Sequence, residues 1–170
     1  REGAKRKRKT CFRARVVREG QTFLKATSTQ SRLRGFLAEL QRAGGPAPDI
    51  TFAEAYSFEA GRVEMQRLLR ETTPAEAYFC GDDVLSIGAL SAIRDHGLRV
   101  PEDIGLIGVN DMQMSSWQNI NLTTIAQPFA EIIQTSIDVI VDMLQAPKQP
   151  AQARRLPCRL VERGTLRALP

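Results

Sequence analysis

Two short apolar runs on either side of one helical pattern decide the fold: AEAYFC at Ala75–Cys80 and IGLIGV at Ile104–Val109. The second run is apolar throughout, which is typical of a strand covered on both faces of a sheet. The stretch between them has apolar residues at helical spacing and stops at Gly97, a common residue after a helix C-terminus. This strand–helix–strand unit predicts two parallel strands joined by a crossover helix.

The same alternation continues in both directions along the chain. Further strands are predicted at Thr10–Val17, Ile50–Ala55 and Thr123–Ala126, with a last, edge strand at Leu156–Val161. Further helices are predicted at Ser31–Ala43, from Phe58 to about Arg70, and after Pro128. The second of these has Ser57 as its cap, and its buried side holds Phe58, Gly61, Met65, Leu68 and Leu69. A period of roughly 25–30 residues predicts the α/β class with a doubly wound parallel sheet.

Composition and charge exclude several classes of protein. The chain has 170 residues, 42% hydrophobic and 25% charged, and no apolar run is long enough for a membrane span or a secretory signal. Nine Lys/Arg and one acid lie in the first 18 residues, so the net charge of +5 belongs to that end. The run Lys5–Lys9 is interpreted as a solvated or disordered start. The alternative is phosphate-backbone binding, which we expect to be non-specific because the run presents no fixed reading element.

Metal, cofactor and catalytic chemistry are not indicated. The three cysteines are too few and too scattered for a disulfide framework or a zinc site, and they suit reduced thiols in a cytoplasm: Cys11, Cys80 and Cys158. The single histidine, His96, is expected at a helix C-terminus in a structural role. No P-loop, G-x-S-x-G or G-x-G-x-x-G motif is present. We therefore expect no metal, no cofactor and no enzyme activity.

Polar and aromatic side chains follow the predicted strands at their carboxyl ends, where open parallel sheets bind ligands. They are Arg32, Tyr56, Asp82 or Asp83, and Asn110 with Asp111. Carboxylate, amide, guanidinium and ring together suit a neutral polyhydroxylated ligand. Simpler interpretations remain: a helix cap at Asp82 or Asp83, a turn at Asn110-Asp111, a solvated Arg32 and a core Tyr56. The two adjacent acids should diverge at a helix start, so they form no acid–base pair.

A series of short motifs runs from residue 31 to about residue 166. They are Arg32-Leu33-Arg34-Gly35-Phe36, Ser57-Phe58-Glu59-x-Gly61, Gly81-Asp82-Asp83-x4-Gly88-Ala89-Leu90, Gly97-x2-Val100-Pro101-Glu102-Asp103-Ile104, Ile107-Gly108-Val109-Asn110-Asp111, Leu122-Thr123-Thr124-Ile125-x-Gln127-Pro128 and Leu156-Pro157-x2-Leu160-Val161-x-Arg163-Gly164-Thr165. In order and spacing this set resembles the lactose/galactose-repressor (LacI/GalR) family of transcriptional regulators.

The resemblance implies a periplasmic-binding-protein-like core of two α/β lobes, with a small effector in the cleft between them and a DNA-binding helix-turn-helix ahead of both. The residues that it implies as effector contacts are Arg32, Tyr56, Asp82, Asn110 and, near the hinge, Gln127 or Phe129. Asp82 stands where the family usually has Asn, and Asn110 stands where it usually has Asp. The exchange keeps one acid and one amide but swaps their positions.

The resemblance also divides the chain. Residues 1–30 match poorly and hold the basic start and the first strand, and residues 31–126 form the C-terminal lobe. Residues 127–152 hold a hinge crossing and one helix of the N-terminal lobe, and residues 153–170 form the last strand and tail. The operator-reading head and most of the N-terminal lobe have no counterpart, so the apolar stripe of that helix should lack its partner sheet. In the family, the loop with Trp117 and Gln118 lies at the interface of a homodimer.

Together these features predict the effector-sensing region of a cytoplasmic regulator that binds a sugar-like metabolite and reaches operator DNA only through a head outside this chain. One alternative is a periplasmic solute-binding protein of a transport system, which the missing secretion signal disfavours. Another is a nucleotide-using α/β enzyme, which the missing phosphate loop disfavours. The sequence does not identify the effector, the operator or the direction of the response.

Overall fold

The computed structural model describes residues 12–15, 27–45, 47–71, 73–147, 150 and 153–167, with the backbone alone for residues 12–15 and 27–29. The basic run Lys5–Lys9, Cys11 and both ends of the predicted strand Thr10–Val17 lie outside these residues.

The described strands form one six-stranded sheet in the order β2-β1-β3-β4-β5-β6. They are β1 (Phe12–Arg15), β2 (Ile50–Thr51), β3 (Ala77–Cys80), β4 (Gly105–Val109), β5 (Thr123–Ala126) and β6 (Arg159–Val161). The helices are α1 (Thr27–Arg42), α2 (Phe58–Glu71), α3 (Asp83–Asp95) and α4 (Phe129–Gln145), with a short 3-10 helix at Gln113–Ser116. The predicted α/β class and doubly wound sheet are confirmed, with one correction: β6 runs antiparallel to β5, whereas the other neighbours are parallel.

Three predicted boundaries are wrong. The second strand is Ile50–Thr51 instead of Ile50–Ala55, because only these two residues have partners on β1. The last strand begins at Arg159 and leaves Pro157 outside the ladder. Helix α1 begins at Thr27, so Arg32 lies in its second turn and not in its first. The polar residues that open α1 have no apolar periodicity to mark its start.

Helices α2 and α3 pack together on one face of the sheet and form the main core. Met65, Tyr78, Leu90 and Leu106 are fully buried there. Phe58 was predicted to face this core, but its ring is 43% exposed. The part of Phe58 that meets α3 is its backbone, since a Cβ at Gly88 would overlap the Phe58 carbonyl oxygen.

Helix α1 covers the opposite face of the sheet. The ring of Phe36 stacks on Phe79 of β3 with a centroid distance of 4.9 Å and an interplanar angle of 19°. Val109 of β4 is buried beside them, and Ile107 and Ile125 pack against the same cluster. Helices on both faces explain why β3 and β4 are nearly continuous apolar runs.

Helix α4 is exposed along its whole length. None of its residues is buried, which confirms the predicted unmatched apolar stripe. The exposed apolar side chains of this stripe are Phe129, Ile132, Ile133, Ile137, Ile140, Val141, Met143 and Leu144. An apolar face of this extent is typical of a surface that packs against another domain or chain.

No helix in the described part of the chain is long and apolar enough to cross a membrane.

Substituting Ile137 with Glu tests whether the stripe is a free surface. Since the Ile137 side chain is already 49% exposed, the free energy of unfolding should change by only about 0.5 kcal/mol or less. Binding of the apolar dye ANS and self-association should both fall. Urea unfolding, dye fluorescence and light scattering measure these effects.

Gln145→Glu adds the same charge at an exposed polar position of α4 and should leave dye binding unchanged. A large loss of folding stability in Ile137→Glu would show that this side chain packs against the lobe.

Candidate functional site

Four polar side chains meet at the carboxyl edge of the sheet. Arg32 of α1 donates from Nη1 to the carbonyl oxygen of Gly81 (2.8 Å) and from Nη2 to Oδ1 of Asn110 (3.2 Å). Asn110 donates from Nδ2 to Oδ2 of Asp82 (2.6 Å), and Gln127 donates from Nε2 to Oδ1 of Asn110. We call Arg32, Asp82, Asn110 and Gln127 the polar cluster.

Asp82 serves as both a helix cap and a cluster member. Its backbone is extended, and its Oδ1 accepts a hydrogen bond from the N–H of Val84 (2.8 Å), the usual N-cap contact. The other carboxylate oxygen faces Asn110. The cap interpretation is therefore confirmed for Asp82 and not for Asp83, and the same side chain also belongs to the polar cluster.

The backbone turns sharply at Asn110, directly after β4. Its φ of +114° lies in a region that residues other than glycine rarely adopt and that Asn tolerates better than most of them. The Asn110 N–H still donates to the carbonyl oxygen of Ile125 (2.8 Å), so the β4–β5 pairing continues up to the turn. This turn aims the Asn110 amide at the end of β3 and makes it the centre of the cluster.

The environment of Asp82 raises the pKa of its carboxyl above the ordinary value of 3.8. Burial is the main cause, and the neighbouring Asp83 adds to it. The Val84 N–H, the Arg32 guanidinium and the Asn110 amide oppose the shift. The cluster is thus a partly desolvated acid–guanidinium–amide arrangement with no net charge when Asp82 is ionised.

Neither Tyr56 nor Phe129, both predicted as site residues, is one of the four residues of the polar cluster. Tyr56 is half-buried and packs against the main core, five residues beyond the end of the shortened strand β2. Phe129 is 53% exposed at the start of α4, where it lines a cavity of about 450 Å³ together with Asn110 and Gln127. The expected convergence therefore holds for Arg32, Asp82 and Asn110, with Gln127 joined to them.

Sequence reasoning missed the C-terminal side of this cavity. Asp111 is paired with Arg163 (Nη2–Oδ1, 2.7 Å), and Arg159 lies 3.7 Å from its other oxygen. Arg159 and the exposed Cys158 both line the cavity. They arrive there because β6 returns antiparallel beside β5, a pairing that no short motif indicates.

A larger open groove of about 990 Å³ lies at the β2 edge of the sheet. Its lining mixes apolar side chains with polar ones, among them Glu64 and Arg67, which are paired at 2.7 Å. None of the predicted site residues lines it.

In the described ranges no group of three or more His, Cys, Asp or Glu could hold a metal ion. The polar cluster therefore remains the candidate site.

The other singled-out residues lie on the surface. Trp117 is 50% exposed after the 3-10 helix, and Gln118 beside it is also exposed. The carbonyl oxygen of Asn119 accepts from Arg94 Nη1 (2.7 Å), which fastens this loop to α3. His96 is the C-cap of α3, with Nδ1 3.1 Å from the carbonyl oxygen of Ala92, in agreement with a structural role.

Replacing Asp82 with Asn tests the effect of burial on this carboxyl. Because its pKa is raised in the folded state, the folded chain binds the proton more tightly, and stability falls as pH rises from 3.8 through the folded-state pKa. Asn stays neutral and can still cap α3. The stability of Asp82→Asn relative to the parent should therefore increase across this window and then level off, as measured by urea unfolding at a series of pH values.

Asp103→Asn is the contrasting control, since hydrogen bonds from Arg99 hold the pKa of Asp103 at about 2. The Asp103–Arg99 interaction stabilises the folded chain at pH values above the ordinary pKa of an aspartate, and this contribution is lost as pH falls toward 2. Asp103→Asn should therefore lose stability relative to the parent as pH rises. An Asp82→Asn curve parallel to that of the parent at every pH would contradict the assignment.

Comparison with known proteins places the chain in a family. Residues 7–166 match the family described as a periplasmic binding protein-like domain. The HTH-type transcriptional repressor CytR of Escherichia coli is 38% identical over 140 residues, which are 82% of this chain and 41% of that protein. The chain therefore spans about two-fifths of the length of this curated relative.

Solved structures of similar fold agree with this family assignment. A lac repressor dimer bound to operator and the anti-inducer ONPF superimposes with a TM-score of 0.81 at 29% identity, over 94% of this chain and 53% of that one. A LacI family regulator from Enterococcus faecium with bound ribose gives a TM-score of 0.76 at 25% identity, over 93% and 56%. The chain therefore belongs to the periplasmic binding protein-like domain family, and over the length that it covers it is similar in sequence and fold to transcriptional repressors.

Proposed function

We propose that this chain is the effector-sensing region of a DNA-binding transcriptional regulator, and that it binds a sugar or related polyol without catalysis. The observation that carries the proposal is the convergence of Arg32, Asp82, Asn110 and Gln127 at the carboxyl edge of the sheet. Ligands of open α/β sheets bind at this edge. The relatives support the regulator over a transport protein, since CytR and the lac repressor are both repressors.

The chemistry of the cluster suits hydroxyl groups. The Asp82 carboxylate accepts hydrogen bonds, and the Arg32 guanidinium has further N–H groups to donate, so a pair of adjacent hydroxyls can satisfy both. Asn110 already has three hydrogen bonds within the cluster, which fixes its orientation. The exposed Phe129 ring at the cavity can cover the apolar face of a sugar. A balanced pair of charges favours a neutral ligand.

The response to the ligand is a population shift between relative orientations of two lobes. This chain supplies one lobe and the apolar helix α4, whose exposed stripe is then covered by a second lobe of the whole protein. The operator-reading head lies outside these 170 residues in this proposal. A regulator that acts on operator DNA works in the cytoplasm.

Binding of D-ribose and a panel of pentoses, hexoses and polyols should depend on Arg32. Arg32→Met keeps the aliphatic stem and removes the guanidinium, which should weaken binding by about tenfold or more because a charged hydrogen bond is lost. Arg34→Met is the matched control, since Arg34 is exposed on the same helix and, among the described residues, its side chain donates to Ser31 alone (3.5 Å). Isothermal titration calorimetry measures the dissociation constants.

The titrations use a protein that also contains the second lobe. No binding of any panel member there, or equal affinity of Arg32→Met and the parent, would overturn the sugar assignment at this site.

The exposed Trp117 loop is proposed as the contact with a second copy across a two-fold axis. Large exposed aromatic side chains are frequent energetic centres of interfaces. Trp117→Ala should convert a dimer at micromolar concentration to a monomer, as measured by sedimentation velocity. Phe52→Ala is the control, because Phe52 is 37% exposed at the β2 edge. A parent chain that is monomeric, or a dimer unchanged by Trp117→Ala, would contradict the proposal.

A further inference from the structure

Asp83 is fully buried next to the polar cluster, and its carboxylate is satisfied by three donors from other elements. Oδ2 accepts from the N–H of Met112 (2.8 Å) and the hydroxyl of Ser115 (2.8 Å). Oδ1 accepts from the hydroxyl of Thr124 (2.6 Å). One buried carboxylate therefore joins the start of α3, the segment after β4 and strand β5.

The sheet leaves room for this carboxylate at Gly108 of β4. A Cβ at Gly108 would overlap Oδ1 of Asp83 and would lie 2.9 Å from the hydroxyl oxygen of Ser86. The Ser86 hydroxyl in turn donates to the carbonyl oxygen of Asp82 (2.9 Å), so this hydrogen bond also fixes the backbone of Asp82. The position of the carboxylate is thus fixed on several sides.

The donors of Asp83 lie between the candidate ligand site and the surface loop. Asp82 of the cluster is the preceding residue, and Met112 is two residues after Asn110. Ser115 is two residues before Trp117, and the N–H of Trp117 donates to the carbonyl oxygen of Met114 (3.1 Å). The hydrogen bonds of Asp83 therefore join a sequence neighbour of the cluster to the segment that leads into the loop.

We propose that Asp83 is a positioning residue that couples the polar cluster to the Trp117 loop, so that a change at the cluster alters the conformation of the loop. Its buried hydrogen bonds are unfavourable to break, because unpaired buried donors lose their solvation without compensation. The segments that they join therefore move together. The coupling rests on the proposed function only in taking the cluster as the ligand site.

Trp117 is the single tryptophan of the chain and reports on the loop without a ligand. Incorporation of 5-fluorotryptophan gives one ¹⁹F resonance, measured on the 170-residue chain at a concentration where sedimentation shows a single species. Arg32→Met perturbs the cluster from α1 and should shift this resonance. Arg34→Met should leave it in place. An unshifted resonance in Arg32→Met would overturn the coupling.

Ser115→Ala then tests whether Asp83 carries the effect. The shift caused by Arg32→Met should be lost in the Ser115→Ala background and retained in the Ser116→Ala background. Within the described part of the chain, the Ser116 hydroxyl donates to the carbonyl oxygen of Gln113 (2.7 Å) and not to Asp83. Acrylamide quenching of Trp117 should also rise in Ser115→Ala, by at most about twofold since the ring is already 50% exposed. Equal ¹⁹F shifts in both backgrounds would contradict the role of Asp83.

Asp83→Ala is the more severe variant and should abolish the response if it folds by circular dichroism; Ser115→Ala keeps the test decisive if it does not. Failure of sugar binding in calorimetry would overturn the proposed function and leave this ligand-free coupling intact. If the ¹⁹F shift of the Arg32→Met, Ser115→Ala double variant were the sum of the two single shifts, the coupling alone would be overturned.

Discussion

The buried carboxylate of Asp83 is the interaction on which the carboxyl edge of this sheet depends. A buried charge is strongly unfavourable unless it is paired or fully hydrogen-bonded, and here three donors from two other parts of the chain satisfy it. The requirement for a carboxylate at this point explains the glycine at position 108. Its hydrogen bonds join the start of α3 to the segment after β4 and to β5, next to the Asp82–Asn110 contact.

Much of the fold could be predicted because burial on both faces leaves a clear pattern. Strand β5 was predicted at its observed bounds, and the residues after β3 and β4 come together because parallel strands end at one edge. Tyr56 could not be placed, since β2 is limited by its two partners on β1 and not by its own sequence. The antiparallel return of β6 brings Arg159 and Arg163 to Asp111 through tertiary pairing, which local patterns do not encode.

The same edge of the sheet combines recognition with structural constraint. Asp82 caps α3 with one oxygen and bonds Asn110 with the other, while its neighbour Asp83 turns inward to the core. The two adjacent acids therefore have separate sets of hydrogen-bond partners, Asp82 in the polar cluster and Asp83 in the core. Two exposed apolar features, helix α4 and Trp117, lie outside the cluster and are suited to contacts with other parts of a larger assembly.

Chemical-shift mapping of the ¹⁵N-labelled chain with a bound sugar, beginning with D-ribose, tests the central claim most directly. The account predicts that the largest changes occur at the side-chain amides of Asn110 and Gln127, the Arg32 Nε–H and the backbone amides of Gly81 and Asp82. Changes confined to the groove at the β2 edge, around Phe52 and Arg67, would contradict it, because the ligand would then bind away from the polar cluster.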